Sequence, residues 1–110
     1  MRRGDIYIGA ARGAYTGKPR PVVVIQDDRF DASSSVTVVP LTSSGTDAPL
    51  FRIVVEATEV TGLNQRSSLM VDKVTTVPRA SLTTNIGRLP DATIVALNRS
   101  LFVFLGLAPG

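Results

Sequence analysis

Residues 17–26 read GKPRPVVVIQ, in which an arginine stands between two prolines and before a run of β-branched residues. The apolar run at 22–25 predicts a strand that is buried on both faces, because a half-buried strand would alternate apolar and polar residues. Pro21 has no backbone N–H to donate, so it belongs at the start or the edge of that strand. The stretch therefore predicts a strand over residues 20–26 that begins with a cation, Arg20, on a restricted backbone.

Short strand patterns separated by turn signals fill most of the chain up to residue 89. Besides 20–26, the pattern predicts strands over residues 5–9, 36–41, 51–56, 68–74 and 86–89, and one helical turn over 78–82. A helix is predicted from Asp91, which can cap its first turn, to about Leu105, where Gly106 can end it. The order predicts the α+β class, mostly β: a small antiparallel sheet or barrel with a C-terminal helix, in a single domain of residues 1–110.

The predicted helix carries apolar residues on more than one face. Its main stripe consists of Ile94, Leu97, Leu101 and Leu105, and its other faces add Phe102, Val103 and Phe104. A surface helix that packs only on its own sheet would be polar on the far side. We therefore expect a homodimer interface at the end of this helix; the alternative is a helix deeply sunk in a monomer.

Composition excludes several kinds of chemistry. The 110 residues include no cysteine and no histidine, which rules out the usual zinc sites, cysteine nucleophiles and a catalytic histidine. The phosphate-binding patterns GxGxxG and GxxxxGK[ST] are absent, and no acidic cluster indicates a catalytic metal. We expect no cofactor. The lack of disulfides, of an N-terminal apolar segment and of a long apolar run fits a cytoplasmic protein without a membrane segment.

Polar side chains recur at or near predicted strand ends: Arg20, the pair Thr42 and Ser43, and Asp72. Each could have a purely structural role, as an ion pair, a turn cap or a hydrogen-bond acceptor. Together they indicate anion chemistry, because arginine offers a rigid fork of donors to phosphate and a neighbouring hydroxyl can orient a phosphoryl oxygen. Five of the 12 lysines and arginines also fall within the first twenty residues, a bias that attracts phosphate or simply solvates the surface.

Several motifs in order resemble the MazF/PemK toxins over nearly the whole chain. The matches are RGDIY at 3–7, RPVVVIQDD at 20–28, VVPLTS at 38–43, GL at 62–63, DKVTTV at 72–77 and IGRL at 86–89. The first three, in that order, are specific. The resemblance implies an SH3-like small barrel assembled as a homodimer. It also implies a metal-independent endoribonuclease that cuts single-stranded RNA and leaves 2′,3′-cyclic phosphate and 5′-hydroxyl ends.

The resemblance also implies partners and site residues. Messenger RNA is the expected substrate, with tRNA and rRNA as further candidates; a cognate antitoxin inhibits the enzyme, and DNA is contacted only through the antitoxin complex. Arg20 matches the family's catalytic arginine, Thr42 its catalytic threonine and Ser43 a neighbouring hydroxyl. The expected RNA-binding residues are Arg12, Tyr15, Thr16, Lys18 and Asp72.

Two departures from the family pattern bear on these assignments. The first loop lacks the histidine of some relatives, and Thr16 and Lys18 are its nearest polar substitutes. The arginine that some relatives carry two positions before the aspartate is Met70 here, and Arg66 is a candidate for the missing charge. The acceptor of the 2′-hydroxyl proton is therefore unassigned, and Asp72 can be catalytic, base-reading or structural.

A second hypothesis shares the fold and differs in activity. A CcdB-like toxin would bind and poison DNA gyrase without cleaving RNA. The matches at Arg20, Thr42 and Ser43 favour the nuclease. If the protein is the nuclease, we expect the loops at 10–19, 43–49 and 57–67 to determine which RNA sequence it cuts.

Overall fold

The computed structural model describes residues 1–9, 19–43 and 52–108. The strands are β1 (Asp5–Gly9), β2 (Arg20–Val24), β3 (Ser35–Thr42), β4 (Arg52–Val55), β5 (Ser67–Met70), β6 (Thr75–Pro78) and β7 (Leu82–Arg88). One helix, α1 (Asp91–Phe104), follows them. The strands form a sheet in the order β4-β5-β3-β2-β1-β7, with β6 beside β3, and every pairing is antiparallel. The predicted class, a mostly antiparallel sheet with a C-terminal helix, is confirmed.

The valine run of β2 is buried on both faces, as predicted. Val22 and Val24 pack in one apolar cluster with Val36, whereas Val23 packs in the other with Val39. Burying a valine side chain stabilises the fold by about 1.5–3 kcal/mol, so this short strand contributes to two cores at once. Pro21 lies near the start of β2, and the β2–β3 ladder begins one residue later, at Val22, as expected for a residue without a backbone N–H.

The segment predicted as one strand over 68–74 is divided, and that prediction is wrong. β5 ends at Met70, a 3-10 turn occupies Val71–Lys73, and β6 begins at Thr75. The reason lies in the pairing with β3. In the β5 register Leu41 faces Leu69, which would set Val38 opposite residue 72, but Val38 faces Thr75. The turn accommodates this shift of three residues and buries Val71, so Asp72 lies on a turn.

The ends of α1 are partly as predicted. Pro90 occupies the N-cap position without a side-chain hydrogen bond, and Asp91 is the first helical residue, so Asp91 does not cap the helix. Its charge still lies in the first turn, where the helix dipole favours an anion. Gly106 has φ +75° and donates its N–H to the carbonyl of Val103, which confirms it as the end of the helix.

The apolar stripe of α1 is buried only as far as Leu101. Leu97 and Leu101 pack in the core, whereas Leu105 is 53% exposed. Four neighbours are exposed as well: Phe102, Val103, Phe104 and Leu107. We call these five exposed residues the C-terminal apolar patch. Among the helices of the described ranges, none has the length and apolar character needed to cross a membrane.

Candidate active site

A cleft of about 640 Å³ opens at one end of the sheet. Its lining brings together the ends of β1, β2 and β3 and the turn before β5. The residues that line it are Ile8, Pro19, Arg20, Pro21, Leu41, Thr42, Ser43, Gly62, Leu63, Asn64, Gln65, Ser67 and Ile86. The three residues predicted to be catalytic, Arg20, Thr42 and Ser43, therefore lie in one cleft, although Arg20 is 22 positions before Thr42 and 23 before Ser43 in the sequence.

Strand register explains how Arg20 and Thr42 meet. β2 and β3 are antiparallel, with Val22 opposite Pro40. Extended by two residues, this register sets Arg20 level with Thr42. Arg20 also faces Gly9 across the β1–β2 ladder. The cation is thus held at the rim of the sheet by strand pairing and by the flanking prolines.

Thr42 and Ser43 differ in how firmly they are held. Thr42 is 8% exposed and pairs with Ser68 in the β3–β5 ladder. Ser43 follows the strand and is exposed. A threonine fixed in a ladder presents its hydroxyl from a defined position, which suits orientation of a bound phosphate better than a loop residue would.

One wall of the cleft is a turn that connects β4 to β5. Thr61 stabilises this turn: its hydroxyl donates to the carbonyl of Glu56 at 2.9 Å and accepts from the backbone N–H of Thr58 at 3.0 Å. Gly62 has φ +68°, and a β-carbon there would overlap the carbonyl of Ile86 on β7. The turn and β7 therefore touch backbone to backbone, so the wall is rigid.

Asp72 lies outside the cleft lining and belongs to an ion pair. The guanidinium of Arg52 on β4 donates to its carboxylate, and the Arg52 side chain is only 11% exposed. Burial raises the pKa of Asp72, but the hydrogen bond and positive charge of Arg52 outweigh it and hold that pKa below its ordinary value. Arg66, the candidate for the missing charge, pairs instead with Glu56 at 3.1 Å on the surface.

Four of the expected RNA-binding residues, Arg12, Tyr15, Thr16 and Lys18, lie outside the described residues. Three further residues line the cleft that the sequence did not single out as site residues: Asn64, Gln65 and Ser67. The sequence signal for the two amides was their position directly after Gly62 and Leu63, since a turn rich in amides between strands suits recognition.

Charge is sparse among the described residues of the cleft. Of those that line it, Arg20 is the one with a formal charge, and none carries a carboxylate. From this part of the lining an anion meets one cation and a set of neutral hydroxyl and amide groups. The acceptor of a substrate proton is thus not among the described lining residues, which leaves it unassigned.

Residues 2–105 match the family described as PemK-like, MazF-like toxin of type II toxin-antitoxin system. The chain belongs to this toxin family. Within it, a protein of Mycolicibacterium smegmatis named "Probable endoribonuclease MazF" is 68% identical over 98% of this chain and 99% of its own length. These matches confirm the predicted resemblance to the MazF/PemK toxins.

Solved structures agree with the toxin fold. The Mycobacterium tuberculosis toxin MazF-mt6 is 27% identical, with a TM-score of 0.81, over 96% of this chain and 99% of its own. An endoribonuclease in complex with its cognate antitoxin, from a mycobacterial species, shares the fold at 19% identity, also with a TM-score of 0.81, over 100% of this chain and 99% of its own.

Proposed function

We propose that this member of the toxin family is an endoribonuclease that cuts single-stranded RNA without a metal ion, through Arg20 and Thr42, with Ser43 beside them. The observation that carries the proposal is that Arg20, Thr42 and Ser43 line one cleft at one end of the sheet. The 68% identical relative named as an endoribonuclease supports the activity.

The chemistry needs little from the protein because RNA carries its own nucleophile. The 2′-hydroxyl gives up its proton to an acceptor that is unassigned, and its oxygen attacks the neighbouring phosphorus. The bond from phosphorus to the 5′-oxygen breaks, and that oxygen takes up a proton as it leaves. The products are a 2′,3′-cyclic phosphate and a 5′-hydroxyl. The guanidinium of Arg20 stabilises the charge that builds on the phosphoryl oxygens, and the Thr42 hydroxyl orients one of them. An arginine keeps its proton in proteins, so Arg20 acts as a clamp and not as the base.

Mapping of RNA ends tests the proposal. Purified protein is incubated in EDTA with a mixed RNA pool, and new 5′-hydroxyl ends are sequenced. Discrete ends at one short motif, lost in both Arg20→Ala and Thr42→Ala, are expected. Intact RNA would overturn the activity, and undiminished cutting by both variants would overturn the residue assignments.

The same proposal includes two protein partners. The family description and the antitoxin complex of the fold neighbour support a cognate antitoxin that inhibits the enzyme, with DNA contacted only through that complex. The C-terminal apolar patch supports a homodimer, because contiguous exposed apolar surface at a helix end marks an interface. We place the enzyme in the cytoplasm, where messenger RNA, its proposed substrate, is present.

The CcdB-like hypothesis is not favoured, since the family that matches is the PemK/MazF one. It remains a distinct outcome of the same experiment. A gyrase poison would leave the RNA pool intact and inhibit supercoiling in a parallel reaction with purified gyrase.

A further inference from the structure

Two neutral amide side chains, Asn64 and Gln65, stand on the wall of the cleft that holds Arg20 and Thr42. Both are exposed. Neither side chain takes part in the hydrogen bonds that fix the turn. Their carboxamides are therefore available to a molecule that enters the cleft.

The backbone beneath the two amides is fixed at several points. Thr61, which is 1% exposed, holds the start of the turn through its hydroxyl, and Leu63 is buried in the core. Beyond the amides, the hydroxyl of Ser67 donates to the carbonyl of Gln65 at 2.9 Å. A recognition group must be held by a rigid support to discriminate between ligands, and this turn provides one.

The turn is also locked to the far edge of the sheet. The carbonyl of Val60 accepts from the N–H of Arg88 at 2.9 Å. A β-carbon at Gly87 would overlap backbone atoms of Thr61, so the two segments are as close as glycine allows. β7 in turn pairs with β1, whose end faces Arg20. One connected frame thus positions the amides and the cation relative to each other.

The chemistry of a carboxamide fits a nucleobase edge. It offers an acceptor and a donor side by side, and unpaired RNA bases present the same combination on their Watson–Crick and Hoogsteen edges. Being neutral, it adds nothing to unspecific attraction for the phosphate backbone. Charge and amides lie on different segments of this cleft: Arg20 on β2 carries the positive charge, and the turn with Asn64 and Gln65 offers hydrogen bonds.

From this arrangement we infer that Asn64 and Gln65 read a base of the substrate RNA beside the scissile phosphate. The inference rests on the proposed ribonuclease function and names the specificity-determining residues of that same cleft. Phosphate contacts position a nucleic acid and base contacts specify its sequence, so the two residue sets should separate in experiment.

Sequencing of 5′-hydroxyl ends from a randomised RNA pool tests the inference, with wild type, Asn64→Ala, Gln65→Ala and the double variant compared. The expected result is continued cutting with relaxed preference at one motif position, by about 5- to 150-fold, the range of a good bidentate amide–base contact. Asn98→Ala on the exposed face of α1, outside the cleft, is the matched control and should keep the wild-type motif. Thermal unfolding of each variant confirms that it is folded.

Three results would count against the inference, and they are distinguishable. If wild type cuts one motif and the double variant cuts that motif with the same preference and rate, the amides do not read the base. If wild type leaves the whole pool intact, the proposed function fails and the inference fails with it. A folded double variant that cuts nothing would assign the amides to the cutting step and so overturn a role confined to specificity.

Discussion

Arg52 and Asp72 form an ion pair that joins β4 to the 3-10 turn before β6. Across the β4–β5 ladder Arg52 faces Met70, the position at which some relatives carry an arginine. The charge missing from position 70 is thus supplied to Asp72 from the neighbouring strand. This pairing favours a structural role for Asp72. Arg20 and Thr42 then remain as the candidate catalytic groups.

Asp72→Asn should lower the free energy of unfolding by about 1.5–3 kcal/mol near neutral pH, the range of a hydrogen bond to a charged group. The pKa of Asp72 is below its ordinary value of 3.8 in the folded chain. The pair therefore stabilises the fold above that value, and the contribution is lost as the pH falls through the lowered pKa. Urea unfolding at neutral pH and at low pH measures this: the gap between wild type and Asp72→Asn should close in acid.

Glu59→Gln is the control for this pH experiment, because Glu59 is an exposed carboxylate outside any described ion pair. It should change stability by less than about 0.5 kcal/mol. Loss of RNA cleavage in Asp72→Asn without loss of stability would contradict the structural role.

Arg20→Ala should reduce the rate of RNA cleavage by about 10²–10³-fold, the usual effect of removing one donor to a charged transition state. Arg20→Lys keeps the charge and loses the planar fork, so its activity should lie between that of wild type and that of Arg20→Ala. Single-turnover cleavage of one RNA oligonucleotide measures both. Arg99→Ala, an exposed arginine on α1 outside the cleft, should cleave like wild type; equal losses in Arg20→Ala and Arg99→Ala would point to general charge and not to a clamp.

Thr42→Val should abolish most cleavage while leaving the fold intact. The substitution removes the hydroxyl and preserves the branched shape in a strand that is 8% exposed at this position. Cleavage rate and unfolding midpoint are measured together. Thr84→Val, at an exposed position on β7, is the matched control. Wild-type cleavage by folded Thr42→Val would remove Thr42 from the proposed mechanism.

Gly62→Ala should destabilise the chain more than Gly106→Ala does. Both glycines have positive φ, which costs an alanine about 1–2 kcal/mol, but only the Gly62 site is occupied by another atom, the Ile86 carbonyl. The β-carbon at Gly106 meets nothing within 4 Å. The overlap at Gly62 should add about 1–3 kcal/mol. Chemical denaturation compares the two variants, and equal losses would show that the turn yields easily and is not a rigid wall.

Val103→Glu should weaken self-association. Val103 is 66% exposed in the C-terminal apolar patch, and a carboxylate at its centre would have to be buried unpaired in a dimer. Sedimentation velocity at several concentrations measures the association. Val60→Glu changes a valine that is 58% exposed outside the patch and serves as the control. A dimer that persists in Val103→Glu and dissociates in Val60→Glu would place the interface elsewhere.

The sequence alone determined the class of fold and predicted Arg20, Thr42 and Ser43 as the catalytic residues. The short apolar run after Arg20 predicted a strand buried on both faces, because it is rich in β-branched residues and no polar residue interrupts it. Local patterns also located β1, the turn at residues 79–81 and the end of α1 at Gly106, since each depends on neighbours in the chain.

Only the tertiary structure decided how these pieces are aligned. The 3-10 turn at Asp72 exists because β5 and β6 pair with different parts of β3, and a shift of register leaves no local pattern. The pair of Arg52 with Asp72 and the wall with Asn64 and Gln65 depend on contacts between segments far apart in the chain. The sequence thus determined which groups are present, while strand register determined that Arg20 and Thr42 meet and that Asp72 lies outside their cleft.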